Sequence, residues 1–337
     1  MTVAAGTVSR VFRRLSLCAV PLTLLLVACS PAPSPNTADS ATQSSSATSS
    51  STPPSSSTPA SSSSVAPTPT PTPSSSAPAK KVHVSLLESD GGQYGVGMPI
   101  NARFDRAPTD AHAFSKATTV TVNGKKIDGG WYFESTAHAG SALEAHYRPK
   151  SYWPAHATIK LDLPVQGLSA GKGLVYDDSL TLAMSTGRAN ILTVDAVTLQ
   201  MAVVSDGTLY GRFPVSLGAN NTPTSRGTKV IMEKGADISM RGPGYYDPHV
   251  QWTQRLTYGG EYLHSAPWNV GNLGVRSTSN GCTNLSPTVA KQLFDYLEIG
   301  DVVKFPNANG PAMQLGTGYG DWNVSWPQWV TGGALKV

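Results

Sequence analysis

From Ser30 to Ala79 almost every residue is Ser, Thr, Pro or Ala, the exceptions being Asn36, Asp39, Gln43 and Val65. A segment so poor in apolar side chains cannot bury enough surface to offset its ordering entropy, and it is expected to stay disordered. Any packed core must therefore lie after residue 79, in a chain of 337 residues whose length fits about two domains. The Pro-Thr run from Pro67 to Pro73 reads as a stiff, polyproline-like spacer. Residues 29–79 are thus read as a linker, with a reach on the order of 100 Å when extended.

What precedes the linker reads as an export signal over residues 1–28. Arg10, Arg13 and Arg14 form a basic region, and Leu15 to Val27 form an apolar run interrupted by Pro21. That run is too short for a comfortable transmembrane helix. Leu26-Val27-Ala28-Cys29 resembles a bacterial lipobox, which makes Cys29 the expected lipidation site. The expectation is a lipoprotein held at the outer side of the cell membrane by acyl chains. Of the three cysteines, Cys18 falls in the signal and Cys29 is assigned to the lipid, so Cys282 is alone in the folded part. A leftover thiol in an exported protein is either reactive or buried and inert, and this fact alone does not choose. The net charge of +4 is mild, and no basic run with interleaved aromatics points to nucleic acid.

Residues 80–187 alternate with period two in Val120-Thr121-Val122, Ile159 to Leu163 and Leu180 to Met184, and Asn123-Gly124 is a hairpin turn signal. Trp131 to Phe133 and Glu144 to Tyr147 add strand candidates, so this stretch is read as a small β-sandwich of immunoglobulin-like shape. Its histidines, His83, His112, His138, His146 and His156, show no metal-ligand spacing and are read as surface or packing residues. Residues 188–310 form a second, mostly β unit. Strands are expected over Ile191 to Ser205, Thr208 to Leu217, Lys229 to Met232 and Gln254 to Tyr258, with a turn at Asp206-Gly207. One helix is expected, with Ser286 as N-cap, Pro287 at its first position, Val289, Leu293, Phe294 and Leu297 as its apolar stripe, and Gly300 as its stop. In residues 311–337, Trp322, Trp326 and Trp329 recur at helical spacing and are read as a docking stripe rather than a sugar-binding face.

The stretch that carries chemistry is Tyr262-Leu263-His264-Ser265-Ala266-Pro267-Trp268, followed by Ser279-Asn280-Gly281-Cys282-Thr283-Asn284. A thiol is a useful nucleophile as thiolate, and an imidazole can take its proton and later deliver it to a leaving amine. Gly281 permits a tight turn in which backbone N–H groups face a developing oxyanion. The residues alone give a moderate signal for a cysteine acyltransferase.

These motifs resemble the signature of the YkuD-type L,D-transpeptidases: a His, a spacer, then Ser/Thr-His-Gly-Cys-x-Asn. Fourteen residues separate His264 from Ser279, and Phe213 to Gly218 and Gly320 to Asn323 match the family's flanking text as well. The likeness covers nearly all of the chain after residue 188, and the lipobox, linker and upstream β-domain resemble the layout of actinobacterial, especially mycobacterial, members. The resemblance implies that Cys282 attacks a donor tetrapeptide stem at the bond between diaminopimelate and D-alanine. A second stem's amine would then resolve the thioester into a 3→3 cross-link. It makes His264 the acid/base, oriented by the Ser265 carbonyl, with the N–H groups of Gly281 and Cys282 and the Tyr246 hydroxyl as oxyanion donors. Met232, Tyr262, Trp268, Ser279, Asn280 and Asn284 would line the substrate pocket. No metal or cofactor is called for; the implied partners are peptidoglycan stem peptides and, as covalent inhibitors, carbapenem-type β-lactams.

One position departs from the pattern. Asn280 stands where the family has His, two residues before the nucleophile. An amide cannot carry the charge that favours a thiolate, so Cys282 is expected to ionise less readily than in typical members. An L,D-carboxypeptidase-like hydrolase and a wall-binding scaffold remain as alternative readings.

Overall fold

The computed structural model describes residues 78–242 and 244–337; the export segment, Cys29 and the linker up to residue 77 lie outside them. In the strand Thr158–Leu163 every second side chain is buried, so that Ile159, Leu161 and Leu163 point inward. It pairs antiparallel with Leu180–Thr186 on one side and Thr119–Val122 on the other. Asn123 and Gly124 both take positive φ, the geometry that matches a two-residue hairpin to strand twist, and return the chain into Lys125–Lys126. The resulting five-stranded sheet shares one core with a four-stranded sheet formed by Val84–Leu86, Ile100–Phe104, Leu143–Pro149 and Gly129–Glu134. Phe104, Phe114, Trp131, Phe133 and Tyr176 fill the space between them. This is a β-sandwich.

The second unit repeats the principle. Asn190–Asp195, Gln200–Ser205 and Thr208–Pro214 form a meander in a five-stranded sheet, with Asp206 and Gly207 at positive φ in the turn between its second and third strands. A four-stranded sheet holds Glu233–Gly242, Tyr245–Arg255, Tyr262–Ser265 and Thr283–Leu285 in that order. The helix Pro287–Tyr296 starts as expected, with the Ser286 hydroxyl accepting from the Val289 N–H, and buries Ala290 and Leu293. It ends earlier than expected. Leu297 is already extended, and Gly300 serves a different need. A Cβ on Gly300, which has φ +99°, would lie 2.6 Å from the Gly95 backbone nitrogen, so the glycine lets backbone from the two sandwiches touch. The Gly95 and Gly97 N–H groups donate to the carbonyls of Ile299 and Gly300 there.

The C-terminal tail crosses from the second sandwich to the first. Trp322, Trp326 and Trp329 surround the guanidinium of Arg148, with ring centroids 4.7, 5.6 and 4.2 Å from it. Trp322 donates to the Gly97 carbonyl and Trp329 to that of Gly130. Beside them, His146 is fully buried with Nδ1 at 2.8 Å from Asp321 and Nε2 at 3.6 Å from Glu144. Glu134, His146 and Asp321 have the composition of a metal-ligand cluster, but each imidazole nitrogen already faces a carboxylate. Burial opposes the charge on His146, yet Asp321, Glu144 and Glu134 outweigh it and hold the imidazole well above its usual range as a cation.

Because the folded imidazole is held above its unfolded value, its stabilising contribution is complete below about pH 6.5 and is lost as pH rises through the folded value. Asp321→Asn should therefore destabilise the protein by about 3 kcal/mol between about pH 5 and 6.5, with the gap narrowing at alkaline pH. Thermal melts of both proteins from about pH 5 into the alkaline range check this; a gap that stays the same at alkaline pH would refute the buried imidazolium.

Candidate active site

Tyr262–Ser265 and Thr283–Leu285 run parallel as neighbours, in a register that places His264 beside Asn284. Parallel neighbours require a crossover, and residues 266–282 supply it. The crossover contains the 3₁₀ turn Pro267–Asn272 and ends in the turn that presents Cys282. Gly281 has φ +111°, where an L side chain would be strained. The turn is pinned by hydroxyls. Ser279 Oγ donates to the Cys282 carbonyl at 2.6 Å, Thr224 Oγ1 donates to the Gly281 carbonyl at 2.8 Å, and Thr222 Oγ1 donates to the Ser279 carbonyl at 2.9 Å. Cys282 is only 7% exposed and opens into a cavity of about 410 Å³ walled by Met240, Tyr245, Tyr246, His264 and Trp268.

His264 is held at both nitrogens. Its Nδ1 lies 2.7 Å from the Ser265 carbonyl and its Nε2 lies 2.9 Å from Asn284 Nδ2. The direction of these bonds follows from a chain that begins at Arg276, which can only donate. Arg276 Nε donates to Asn272 Oδ1, and Asn272 Nδ2 donates to Asn269 Oδ1. Asn269 Nδ2 then donates to Asn284 Oδ1, leaving Asn284 Nδ2 to donate to the imidazole. His264 must therefore accept at Nε2 and carry its proton on Nδ1, donating to Ser265. That is the tautomer a general base needs. The acceptor lone pair, however, is engaged by Asn284 rather than by the thiol, and Cys282 Sγ instead faces the Gly260 carbonyl at 3.5 Å.

Burial pushes the Cys282 thiol up to about 12; the Tyr262 N–H and the Lys229 charge oppose this, and Glu261 adds to it. Burial also lowers His264, against the opposing Ser265 carbonyl and Asp247. The resting pair is neutral thiol and neutral imidazole, not an ion pair.

Cys282, His264, Tyr246, Trp268, Ser279, Asn280 and Asn284 all meet at this cavity. Tyr262 lines a second, adjoining cavity of about 460 Å³, which shares Met240, Tyr245 and Asn280 with the first. Ser265 contributes its carbonyl, as expected. The Gly281 N–H, expected to face an oxyanion, is engaged with Ser279 Oγ at 3.2 Å. Met232 lines neither cavity; it packs against Met98, Val230 and Tyr319 on the side facing the first sandwich. The methionine of the cavity is Met240, on the strand Glu233–Gly242, where a register shift between Ile238 and Met240 breaks the alternation that would have revealed it. Tyr245 was also missed. It lines the same cavity as the sulfur and burial pushes its hydroxyl up, whereas Tyr246 is 57% exposed beneath Arg241.

Residues 189–305 match the family model described as the L,D-transpeptidase catalytic domain, and residues 55–169 match that of a bacterial Ig domain. The chain is 31% identical over 268 residues to L,D-transpeptidase 2 of Mycobacterium tuberculosis, covering 77% of this chain and 64% of that protein. It is 32% identical over 268 residues to L,D-transpeptidase 5 of the same species, covering 77% of this chain and 58% of that one. The chain thus spans less than two thirds of the length of either relative. In structure it is similar to an L,D-transpeptidase solved in complex with imipenem, with a TM-score of 0.55 and 26% identity over 66% of this chain and 97% of that one.

Alkylation of Cys282 by iodoacetamide, followed by mass spectrometry of its peptide, should rise about tenfold per pH unit from pH 7 to 10 without a plateau. Asn280→His should raise the rate at pH 7 several-fold by placing an ionisable ring beside the thiol. A plateau near pH 8.5 in the wild type, or no gain in the variant, would contradict the neutral resting state.

Proposed function

Because residues 189–305 belong to the L,D-transpeptidase catalytic-domain family, we propose that this chain forms 3→3 cross-links between peptidoglycan stems through a thioester on Cys282. The observation that carries the reading is the meeting, in one cavity, of a thiol and a histidine whose Nε2 is kept as a proton acceptor. Donor binding draws the thiol away from the Gly260 carbonyl and the Asn284 amide away from Nε2. The thiol proton passes to His264, and the sulfur attacks the diaminopimelate carbonyl that bears D-alanine. The oxyanion forms against the wall carrying Tyr245 and Tyr246, beside the Cys282 N–H. Collapse breaks the C–N bond, and His264 returns its proton to the departing D-alanine amine. The acceptor's side-chain amine then attacks the thioester. His264 takes the proton it loses, and the sulfur leaves and is reprotonated.

The second cavity supports a two-substrate reaction. It adjoins the first at Asn280, and Arg241 and Arg255 give it cationic groups suited to stem carboxylates. Arg255 is committed to the Thr257 and Tyr258 carbonyls and to Glu233, which leaves Arg241 as the group to meet an incoming anion. Carbapenem-type β-lactams would acylate the same sulfur. The lipobox at Cys29 and the linker support an extracytoplasmic enzyme anchored to the membrane and reaching into the wall.

A purified disaccharide-tetrapeptide should yield cross-linked dimer and free D-alanine with the wild type and neither with Cys282→Ala. Tripeptide without dimer would favour the L,D-carboxypeptidase instead. Arg241→Ala should raise the acceptor KM several-fold while leaving carbapenem acylation of Cys282, read as an intact-mass adduct, nearly unchanged.

A further inference from the structure

Beneath the nucleophile turn lies an ion pair that the reaction scheme does not use. Lys229 Nζ is fully buried, paired with Glu261 Oε2 and 4.1 Å from the centre of the Phe305 ring. Glu261 also accepts from the Ser225 N–H at 2.7 Å and the Ser225 hydroxyl at 2.8 Å. Its neighbour in sequence, Gly260, holds the thiol on one side, the Gly260 carbonyl accepting from Cys282 Sγ at 3.5 Å. On the other side, Thr224, next to Ser225, donates to the Gly281 carbonyl. The carboxylate of Glu261 thus ties together both stretches of chain that fix the turn. A Cβ on Gly281 would lie 3.9 Å from Glu261 Cγ, which puts the pair directly behind the turn.

We propose that Lys229 and Glu261 are positioning residues for the transpeptidase reaction: Lys229 supplies, from beneath Cys282, the positive charge that Asn280 cannot supply from the cavity side, and Glu261 limits it. A cation buried away from water acts on a nearby thiol with little screening, which an exposed side chain at position 280 could not do. Of the other ionisable groups around the sulfur, Tyr245, Tyr262 and His264 are neutral at rest; Asp247 on the wall of the first cavity and Arg241 and Arg255 on that of the second carry charge on the cavity side, so the pair is the source of charge beneath the turn. The two members act on the thiolate with opposite sign, Lys229 favouring it and Glu261 opposing it. Lys229 is itself lowered by burial and kept charged by Glu261. The pairing therefore sustains the cation and moderates its effect. This inference rests on Cys282 being the nucleophile.

The test compares Lys229→Met, Lys229→Arg and Glu261→Gln in the full chain, reading iodoacetamide alkylation of Cys282 against pH alongside thermal melting. Lys229→Met should slow alkylation at a given pH about tenfold, and Lys229→Arg should restore most of it. Glu261→Gln, which keeps a hydrogen-bonding group for Ser225, should speed it while Lys229 holds its proton, and the gain should vanish as pH rises and the buried lysine, without its partner, loses its charge. A purely structural pair would lower the melting temperature in Lys229→Met and Glu261→Gln while moving their thiol rates the same way or not at all, and that outcome overturns the proposal. If Lys229→Met does not fold, Glu261→Gln decides alone: a faster thiol at the low end of the pH series supports the assignment, and a thiol unchanged or slower at every pH rejects it. Alkylation reports ionisation whether or not cross-links form, so absence of transpeptidation with the predicted rate changes would count against the proposed function only.

Discussion

The parallel pairing of Tyr262–Ser265 with Thr283–Leu285 is the constraint on which the site depends. It fixes His264 opposite Asn284 and leaves Cys282 at the end of its strand, over the backbone of Gly260 to Tyr262. Parallel strands cannot be joined by a tight turn, so the crossover between them must be long, and that length holds Trp268, Asn269, Asn272, Arg276 and the hydroxyls that pin the turn. The motif spacing seen in the sequence is the length of that crossover. A one-residue slip in the pairing would turn His264 to the opposite face of the sheet.

The first sandwich contributes no side chain to either cavity, yet the chain invests heavily in fixing it to the second. A buried imidazolium among carboxylates, a guanidinium enclosed by three indoles and a glycine-to-glycine backbone contact all lie on one boundary. Charges this deep are costly alone and tolerable only when each finds its partner. The arrangement favours one relative orientation over the many that a plain apolar contact would permit. That rigidity fixes the direction in which the cavity of the second sandwich opens relative to the first.

Much of this was legible in the sequence. Period-two alternation, Asn123-Gly124, Asp206-Gly207 and the Ser286-Pro287 cap each produced the expected local structure, because each acts through its own backbone preferences. The tryptophan tail was legible as a packed stripe. Its target was not, because Arg148 lies far away in sequence and nothing local announces it. His146 was legible only as a packing residue, since its ionisation depends on Asp321, 175 positions later. Within the site, the residues of the two motifs could be placed, whereas Met240 and Tyr245 could not. They sit on strands whose alternation is broken by a bulge, so the periodicity that assigns faces elsewhere assigns none here, and Met232 was named from the family resemblance alone.

The neutral resting pair bears on how such a thiol escapes oxidation. A thiol held near 12 is ionised at neutral pH in only about one molecule in 10⁵, and it is the thiolate that oxidants consume and that attacks disulfides. A permanently ionised cysteine would be spent before it met its substrate. Here the same burial that suppresses ionisation leaves the thiol facing the cavity, and the base is already in the tautomer that can accept its proton. Two weak contacts, thiol to carbonyl and amide to imidazole, separate the resting state from a reactive one. Exchanging them for contacts to a bound substrate costs little, so ionisation becomes coupled to binding instead of to the pH of the surroundings.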